Sequence, residues 1–331
     1  FQQNGYKNKE HIHWLKKKFR LQWILYFGLA LGIVTCVFPY LALEIFEYLV
    51  LLVIIVVYRA MKRMNTKKKL VYTARVKRLL ATELILTAAG GMKRIPGLCL
   101  ILVSVNLFLD IVANVINHPM EAGINQHYIN DAVRKLKSVP GLTVIGVTGS
   151  YGKTSVKFYL QTLLQEKYNV LVTPESFNTP MGVVRTIRGS LKPTTEIFVC
   201  EMGARHVGDI KEICDMVHPD HGVITSIGPQ HLETFFNMEN IQKTKFELAD
   251  ALPEGGMLFL NGDNDYIQQQ AASPAYDQTP EKIFYYSETE RTGYCAKEVK
   301  VSQLGTEFTL VTPDGESERF QMRLIGAHNV I

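Results

Sequence analysis

Val147-Thr148-Gly149-Ser150-Tyr151-Gly152-Lys153-Thr154 is the stretch from which the rest of the chain is read. An apolar run, Leu142 to Val147, precedes it, and a helix-forming run, Ser155 to Leu164, follows it. Strand, glycine-bearing turn and helix in that order make a phosphate-binding loop. The glycines let backbone N–H groups close around a phosphate chain, and the helix N-terminus adds the positive end of its dipole. Lys153 offsets charge on the outer phosphates, and the Thr154 hydroxyl is a Mg²⁺ ligand. Gly149, Ser150, Gly152, Lys153 and Thr154 are therefore the nucleotide-binding candidates, and the expected ligand is a nucleoside triphosphate. The general pattern places a glycine five residues before Gly152; Val147 stands there, so the loop has the shorter Thr-Gly-Ser-x-Gly-Lys-Thr form.

Around the loop, apolar strand-like runs alternate with helix-like ones. Strands are expected at Leu142–Thr148, Asn169–Thr173, Glu196–Cys200, Gly222–Ile227 and Met257–Asn261, and helices at 152–166, 181–189, 208–217 and 239–251. Such alternation indicates an α/β fold, a mostly parallel sheet covered on both faces. Its ligands sit at the carboxyl ends of the strands. From about residue 281 the pattern changes to short strands, with Pro313-Asp314-Gly315 as a turn. Glu201 follows the run Ile197-Phe198-Val199-Cys200, and an acid at the tip of a buried strand beside a phosphate loop is placed to hold Mg²⁺. His231 follows Thr225-Ser226-Ile227-Gly228-Pro229-Gln230 at another strand end, where a neutral imidazole serves a metal or a phosphate. Lys245 lies on the helix 239–251; lysines on helices are normally solvated, and its residue type alone gives it no role.

Charge divides the chain. Residues 1–96 hold 17 Lys and Arg against 4 Asp and Glu; residues 97–331 hold 19 against 27, which leaves a net +5 overall. Within the basic part, Trp23 to Tyr58 is apolar apart from Glu44 and Glu47. At about 20 residues per crossing this is long enough for a hairpin of two spans. Lys16, Lys17, Lys18 and Arg20 precede it, and Arg59 to Arg78 carry cations without acids, so both ends are expected to face the cytoplasm. A further apolar segment spans 96–116, and a linker helix is expected over 117–140, with Ile124, Tyr128, Ile129, Val133 and Leu136 on one face. The expected organisation is a membrane region at 1–116, the linker, and a catalytic domain at 141–331 on the cytoplasmic side of the cell membrane. The basic stretch between the apolar runs fits anionic lipid, not nucleic acid. Cys36, Cys99, Cys200, Cys214 and Cys295 include no Cys-x-x-Cys pair; they read as reduced and mostly buried, with no zinc spacing. The chain begins with Phe1 and stops at Ile331 directly after a motif, so both ends look cut.

Eight short motifs in order carry a resemblance. They are Thr-Gly-Ser-Tyr-Gly-Lys-Thr-Ser-Val-Lys (148–157), Phe-Asn-Thr-Pro-Met-Gly-Val (177–183), Glu-Met-Gly-Ala-Arg-His-Val-Gly-Asp-Ile (201–210), Gly-Pro-Gln-His-Leu-Glu-Thr-Phe (228–235), Lys-Thr-Lys-Phe-Glu-Leu (243–248), Leu-Pro-Glu-Gly-Gly (252–256), Leu-Asn-Gly-Asp-Asn (260–264) and Gly-Ala-His-Asn-Val (326–330). Together they resemble the Mur ligases of peptidoglycan synthesis, most of all the type that adds D-alanyl-D-alanine. The resemblance implies that Lys153 holds the outer phosphates of ATP and that Thr154, Glu201 and His231 lie around Mg²⁺. It implies that Lys245 carries a CO₂-derived carbamate for a second Mg²⁺, that His328 and Asn329 meet the adenine, and that Asn178 and Thr179 line the substrate cleft. The implied catalytic residues are Lys153, His231 and Lys245. The implied reaction is ATP-dependent amide formation through an acyl phosphate, joining the dipeptide to a UDP-muramoyl-tripeptide. The resemblance implies that the apolar segments stand where the family has its N-terminal substrate domain and that Ile331 falls where the family's C-terminal domain should begin. Alternatives are a membrane ligase for another polymer such as poly-γ-glutamate, a transporter ATPase, whose Leu-Ser-Gly-Gly-Gln signature is missing, and a non-catalytic nucleotide-binding membrane protein.

Overall fold

The structure, a computed structural model, describes residues 73–91, 96–273, 282–287, 293–323 and 326, with isolated positions at 12, 30 and 33; side chains of 86–110 are outside the description. Apart from the isolated positions 30 and 33, the hairpin expected over 23–58 lies outside the described residues, as do His328 and Asn329. The chain forms two compact units, residues 1–125 and 126–331.

In the first unit, α1 (Ala74–Gly91) meets the first part of α2 (Pro96–Lys137). Arg78 pairs with Glu121 at 2.6 Å, and Asn117 donates to Thr82 at 2.9 Å, so polar groups join the two helices. Leu84, Ile85, Val115 and Ile116 are exposed. Among the described residues no helix is long and apolar enough to cross a membrane. The segment 96–116 and the linker helix 117–140 are not separate elements: α2 runs unbroken from Pro96 to Lys137, through Pro119. A change from apolar to polar side chains alters what a helix packs against and leaves its backbone bonding intact, so composition was a poor boundary marker here.

The second unit is built on one nine-stranded sheet. Its strands are β1 (Thr143–Thr148), β2 (Val170–Val172), β3 (Ile197–Glu201), β4 (His221–Ile224), β5 (Met257–Asn261), β6 (Lys282–Ser287), β7 (Tyr294–Ser302), β8 (Gly305–Val311) and β9 (Ser317–Met322). The order is β2-β3-β1-β4-β5-β6-β7-β8-β9. Pairing is parallel as far as β7 and antiparallel from β7 to β9. The expected turn at 313–315 closes the β8–β9 hairpin, with Gly315 at φ 84°.

The helices are α3 (Lys153–Leu164), α4 (Pro180–Ser190), α5 (Asp209–Val217), α6 (Leu232–Phe235), α7 (Met238–Asp250) and α8 (Asp265–Ala271). Local signals start several of them. Thr179 caps α4 with Pro180 next in line, Asn237 caps α7 and Asn264 caps α8, each side chain accepting a first-turn N–H. The two-residue period of the strands sorts the core. Val147, Val199 and Val223 face α3, where Val156, Leu160 and Leu164 pack. Val144, Phe198, Cys200 and Ile224 face the other way, in the larger core with residues of α4, α5 and α7. Glu201 shares the parity of Ile197 and Val199, so the pleat turns its carboxylate toward α3. Cys200, Cys214 and Cys295 are free thiols and buried, as expected. The strand expected over Gly222–Ile227 ends at Ile224, because Thr225 and Ser226 turn their hydroxyls to the phosphate loop.

Candidate active site

β1, β3 and β4 are neighbours in the sheet, and their carboxyl ends deliver the three segments of the site. After β1 comes the phosphate loop, which is stapled to the segment after β4. Ser150 N–H donates to Ser226 O at 2.7 Å, and Tyr151 N–H to Ser226 Oγ at 2.8 Å. The Ser150 hydroxyl donates to Gly228 O and accepts from Gly228 N–H, both at 3.1 Å. Ser150 therefore shapes the loop, and its polar groups are engaged by protein rather than turned to a phosphate. Asn261 and Asn264 brace the same segment from behind, donating to Thr225 O and Ile227 O at 3.1 Å.

The loop leads into α3 through Gly152, at φ 80° and with no side-chain cap. The first-turn N–H groups of a helix have no partner within it, so this end is open to an anion. Lys153 is half-buried and folds back, its Nζ donating to Gly149 O at 2.7 Å and Ser150 O at 3.2 Å. Burial pushes its amine below the usual lysine range, and Glu201 opposes that shift. Gly149 lies at φ 154°, and a Cβ there would stand 2.1 Å from Thr225 Oγ1 and 3.0 Å from Ser226 N. Gly149→Ala is expected to weaken nucleotide binding more than tenfold, since the loop must leave its staple to relieve the overlap and the strained backbone adds about 1–3 kcal/mol; a fluorescent-nucleotide titration checks this.

Glu201, at the end of β3, is 1% exposed. The Thr154 hydroxyl lies 3.2 Å from its Oε1 and 3.1 Å from its Oε2. Asn178 Nδ2 donates to Oε1 at 3.0 Å. Lys157 Nζ, with a fully buried side chain, pairs with Oε2 at 2.9 Å. The sequence reading paired Thr154 with Glu201, and the two meet. Asn178, read as a cleft-lining residue, turns its amide to Glu201, and Thr179 spends its hydroxyl on the α4 cap. Lys157 was quoted within a motif without a role; the helical spacing of Lys153, Thr154 and Lys157 was the signal that places all three on α3 near the loop.

His231 precedes α6 as its N-cap, at φ 55°, and is exposed apart from part of its ring. Burial of its ring, then the charges of Arg205, Lys245 and Lys153, push its pKa down and favour the neutral imidazole. Lys245 is 2% exposed, contrary to the expectation for a helix lysine, because the apolar face of α7 that carries Ile241, Phe246 and Leu248 extends beneath it. Burial first, then Lys153, lowers its amine to about 7. Lys243 is exposed and pairs with Glu239 at 2.8 Å. Arg205, Lys245 and Lys153 thus all lie within electrostatic reach of His231, and Lys153 within reach of Lys245, a setting for a polyanion. Arg205 was also missed. Its backbone N–H and that of His206 donate to Asp209 at 2.8 and 2.9 Å, and Glu247 accepts from Gly208 N–H at 2.7 Å and Lys211 N–H at 2.9 Å. These bonds fix the 205–208 loop against α5 and α7.

Among the described residues no three His, Cys, Asp or Glu side chains cluster as a complete metal cage. One carboxylate with an adjoining hydroxyl fits Mg²⁺ all the same, since that ion keeps waters and completes its shell with substrate phosphates.

Residues 147–331, more than half of the chain, match the Mur ligase middle domain. The chain belongs to the Mur ligase family. It is 30% identical over 228 residues to the UDP-N-acetylmuramoyl-tripeptide–D-alanyl-D-alanine ligase of Escherichia coli (strain K12), a match covering 66% of this chain and 49% of that protein. The enzyme of the same name from Bacillus subtilis (strain 168) is 34% identical over 191 residues, covering 58% of this chain and 39% of that protein. Among solved structures, MurF from Acinetobacter baumannii superposes with a TM-score of 0.56 at 26% identity, over 62% of this chain and 44% of that one. MurF ligase from Thermotoga maritima in complex with ADP gives 0.55 at 28% identity, over 62% and 46%. The chain spans less than half the length of these relatives.

In this Mur ligase middle domain the buried Lys245 makes stability depend on pH. Its amine titrates near 7 when folded and near 10.4 when unfolded. Between those values the unfolded chain holds a proton that the native one lacks, so this contribution rises with pH across the window and is lost as pH falls toward 7. Lys245→Met is expected to flatten the rise in melting temperature from pH 7 to 10, as thermal melts at stepped pH would record.

Proposed function

We propose that this chain is the nucleotide-binding core of an ATP-dependent ligase that joins D-alanyl-D-alanine to a UDP-muramoyl-tripeptide. The observation that carries the reading is the contact of Thr154 with Glu201 beside the uncapped N-terminus of α3. Its relatives of that name support the choice of substrates. The β- and γ-phosphates lie along the open N–H groups of Gly152 to Thr154, and Lys153 exchanges its two loop carbonyls for phosphate oxygens. The acceptor carboxylate attacks the γ-phosphorus, ADP leaves, and the dipeptide amine then displaces phosphate from the acyl phosphate to form the amide. Lys153 offsets the negative charge that grows on the transferring group, and the site needs the amine held close to the acyl carbon.

Glu201, Thr154 and His231 would hold Mg²⁺, which would supply charge neutralisation to the phosphates. Lys245 would take up CO₂: its neutral amine attacks the carbon, loses a proton and becomes an anionic carbamate oxygen donor. Burial of that amine beside Lys153 supports this assignment. His328 and Asn329 would meet the adenine, and Asn178 and Thr179 the acceptor side. The apolar run 23–58, the basic residues that flank it and the exposed apolar residues of α1 and α2 support a tether to the cytoplasmic face of the cell membrane.

The deciding experiment supplies ATP, Mg²⁺, UDP-muramoyl-tripeptide and D-alanyl-D-alanine to the protein and follows phosphate release. Release that requires both acceptor and dipeptide is expected. Equal hydrolysis of ATP without either would defeat the ligase reading.

A further inference from the structure

We propose that Lys157 is a positioning residue for the carboxylate of Glu201: a resident counter-cation that aims the carboxylate at Thr154 and sets how strongly the site draws a divalent ion. The proposal rests on the reading of Thr154 and Glu201 as the Mg²⁺–nucleotide pair.

Lys157 lies on α3, three residues after Thr154 and four after Lys153, on the helix face that packs on the sheet. Its side chain is fully buried, and its charge is met from two sides. Nζ donates to Glu201 Oε2 at 2.9 Å and to Glu175 O at 2.5 Å. Glu175 is a non-glycine residue in the left-handed region, at φ 46°. Such a conformation persists where surrounding contacts hold it, and the charge-assisted bond from Lys157 to its carbonyl is one such contact. The segment between β2 and α4 is fastened at both ends, to the last residue of β3 and to the turn just after it: Glu201 N–H donates to Thr173 Oγ1 at 3.1 Å, and Gly203 N–H to Asn178 O at 2.7 Å. Lys157 thus links the carboxylate, the phosphate-loop helix and the segment that carries Asn178.

The two carboxylate oxygens have different company. Oε2 faces the ammonium; Oε1 faces the amide of Asn178; the Thr154 hydroxyl spans both. A carboxylate this buried needs a counter-charge when no metal is present, and Lys157 provides it. The same ammonium repels an arriving dication across a short distance in a poorly screened setting. Two consequences of opposite sign follow from its removal: the metal-free protein loses stability, and its attraction for Mg²⁺ grows. A buried cation with a purely architectural role would produce only the first.

The test is a series of thermal melts on the full chain at a fixed concentration of a non-hydrolysable ATP analogue with stepped Mg²⁺. For Lys157→Met the metal-free melting temperature is expected to fall, and the half-saturating Mg²⁺ concentration to drop by about tenfold relative to wild type. Lys157→Arg keeps the charge and is expected to stay within about threefold of wild type. A Lys157→Met midpoint equal to that of wild type, or a higher one, overturns the proposal. If Lys157→Met does not fold at any Mg²⁺ concentration, ¹⁵N NMR of the Lys157 ammonium in the wild-type chain decides instead: a resonance that moves on addition of Mg²⁺ with the analogue supports the coupling, and an unmoved one overturns it. A wild-type chain whose melting temperature ignores Mg²⁺ and nucleotide altogether would sink the functional reading itself, which separates that failure from this one.

Discussion

Glu201→Gln is expected to lower stability by about 3–5 kcal/mol, because it leaves the Lys157 ammonium buried against a neutral amide. For a unit of about 200 residues this corresponds to a fall of roughly 10 °C in melting temperature. The side chains of the pair are 0% and 1% exposed, so solvent screening offers little relief. The substitution also removes the carboxylate that touches Thr154. Two losses are therefore combined, and a double-mutant cycle separates them. Adding Lys157→Met to Glu201→Gln removes the stranded cation and is expected to recover a large part of the stability, while Mg²⁺-dependent nucleotide binding stays lost. Chemical denaturation of the four chains would measure this. A double variant as unstable as the sum of the two singles would show that the pair does not act as a unit.

Lys153→Ala is expected to do the reverse, leaving the fold and removing the chemistry. The lysine is only half-buried, and its partners are two carbonyls of its own loop. No buried charge is stranded by its loss, so stability should change by about 1 kcal/mol or less. Turnover should fall by roughly 10²–10³-fold, the scale seen when one preorganised donor is taken from a site of developing charge. Phosphate release under saturating substrates, with a melt of the same sample, tests both halves. A variant that retains more than about a tenth of wild-type turnover would place the charge-offsetting role elsewhere, with Arg205 the first alternative.

The contrast between two lysines four residues apart on one helix shows where sequence reading succeeds. The place of Lys153 at the loop was legible because it follows from a local pattern of glycines and a helix start, and local patterns fold locally. Lys157 was not, because its meaning depends on Glu201, which lies 44 residues away and reaches it only through the parity of β3. The burial of Lys245 was not legible for a related reason: exposure is the norm for a lysine on a helix, and whether this one is buried depends on how α7 seats on the sheet. Ser150 looked like a phosphate contact within its motif, yet Gly228, distant in the chain, takes its hydroxyl. In each case the missing information was a partner supplied by another strand end.

The alternation of apolar runs by itself determined an α/β sheet, and the glycine loop with its lysine and threonine determined where a triphosphate would dock. Both are short-range consequences of backbone geometry and hydrophobic period, which a sequence carries openly. The tertiary structure decided the order β3-β1-β4 and therefore which polar groups meet: Glu201 with Lys157, Ser150 with Gly228, Lys245 with the field of Lys153. These pairings depend on the packing of distant segments into a medium where a charge must find a partner or lose its proton, and no local pattern in the chain records which partner that is.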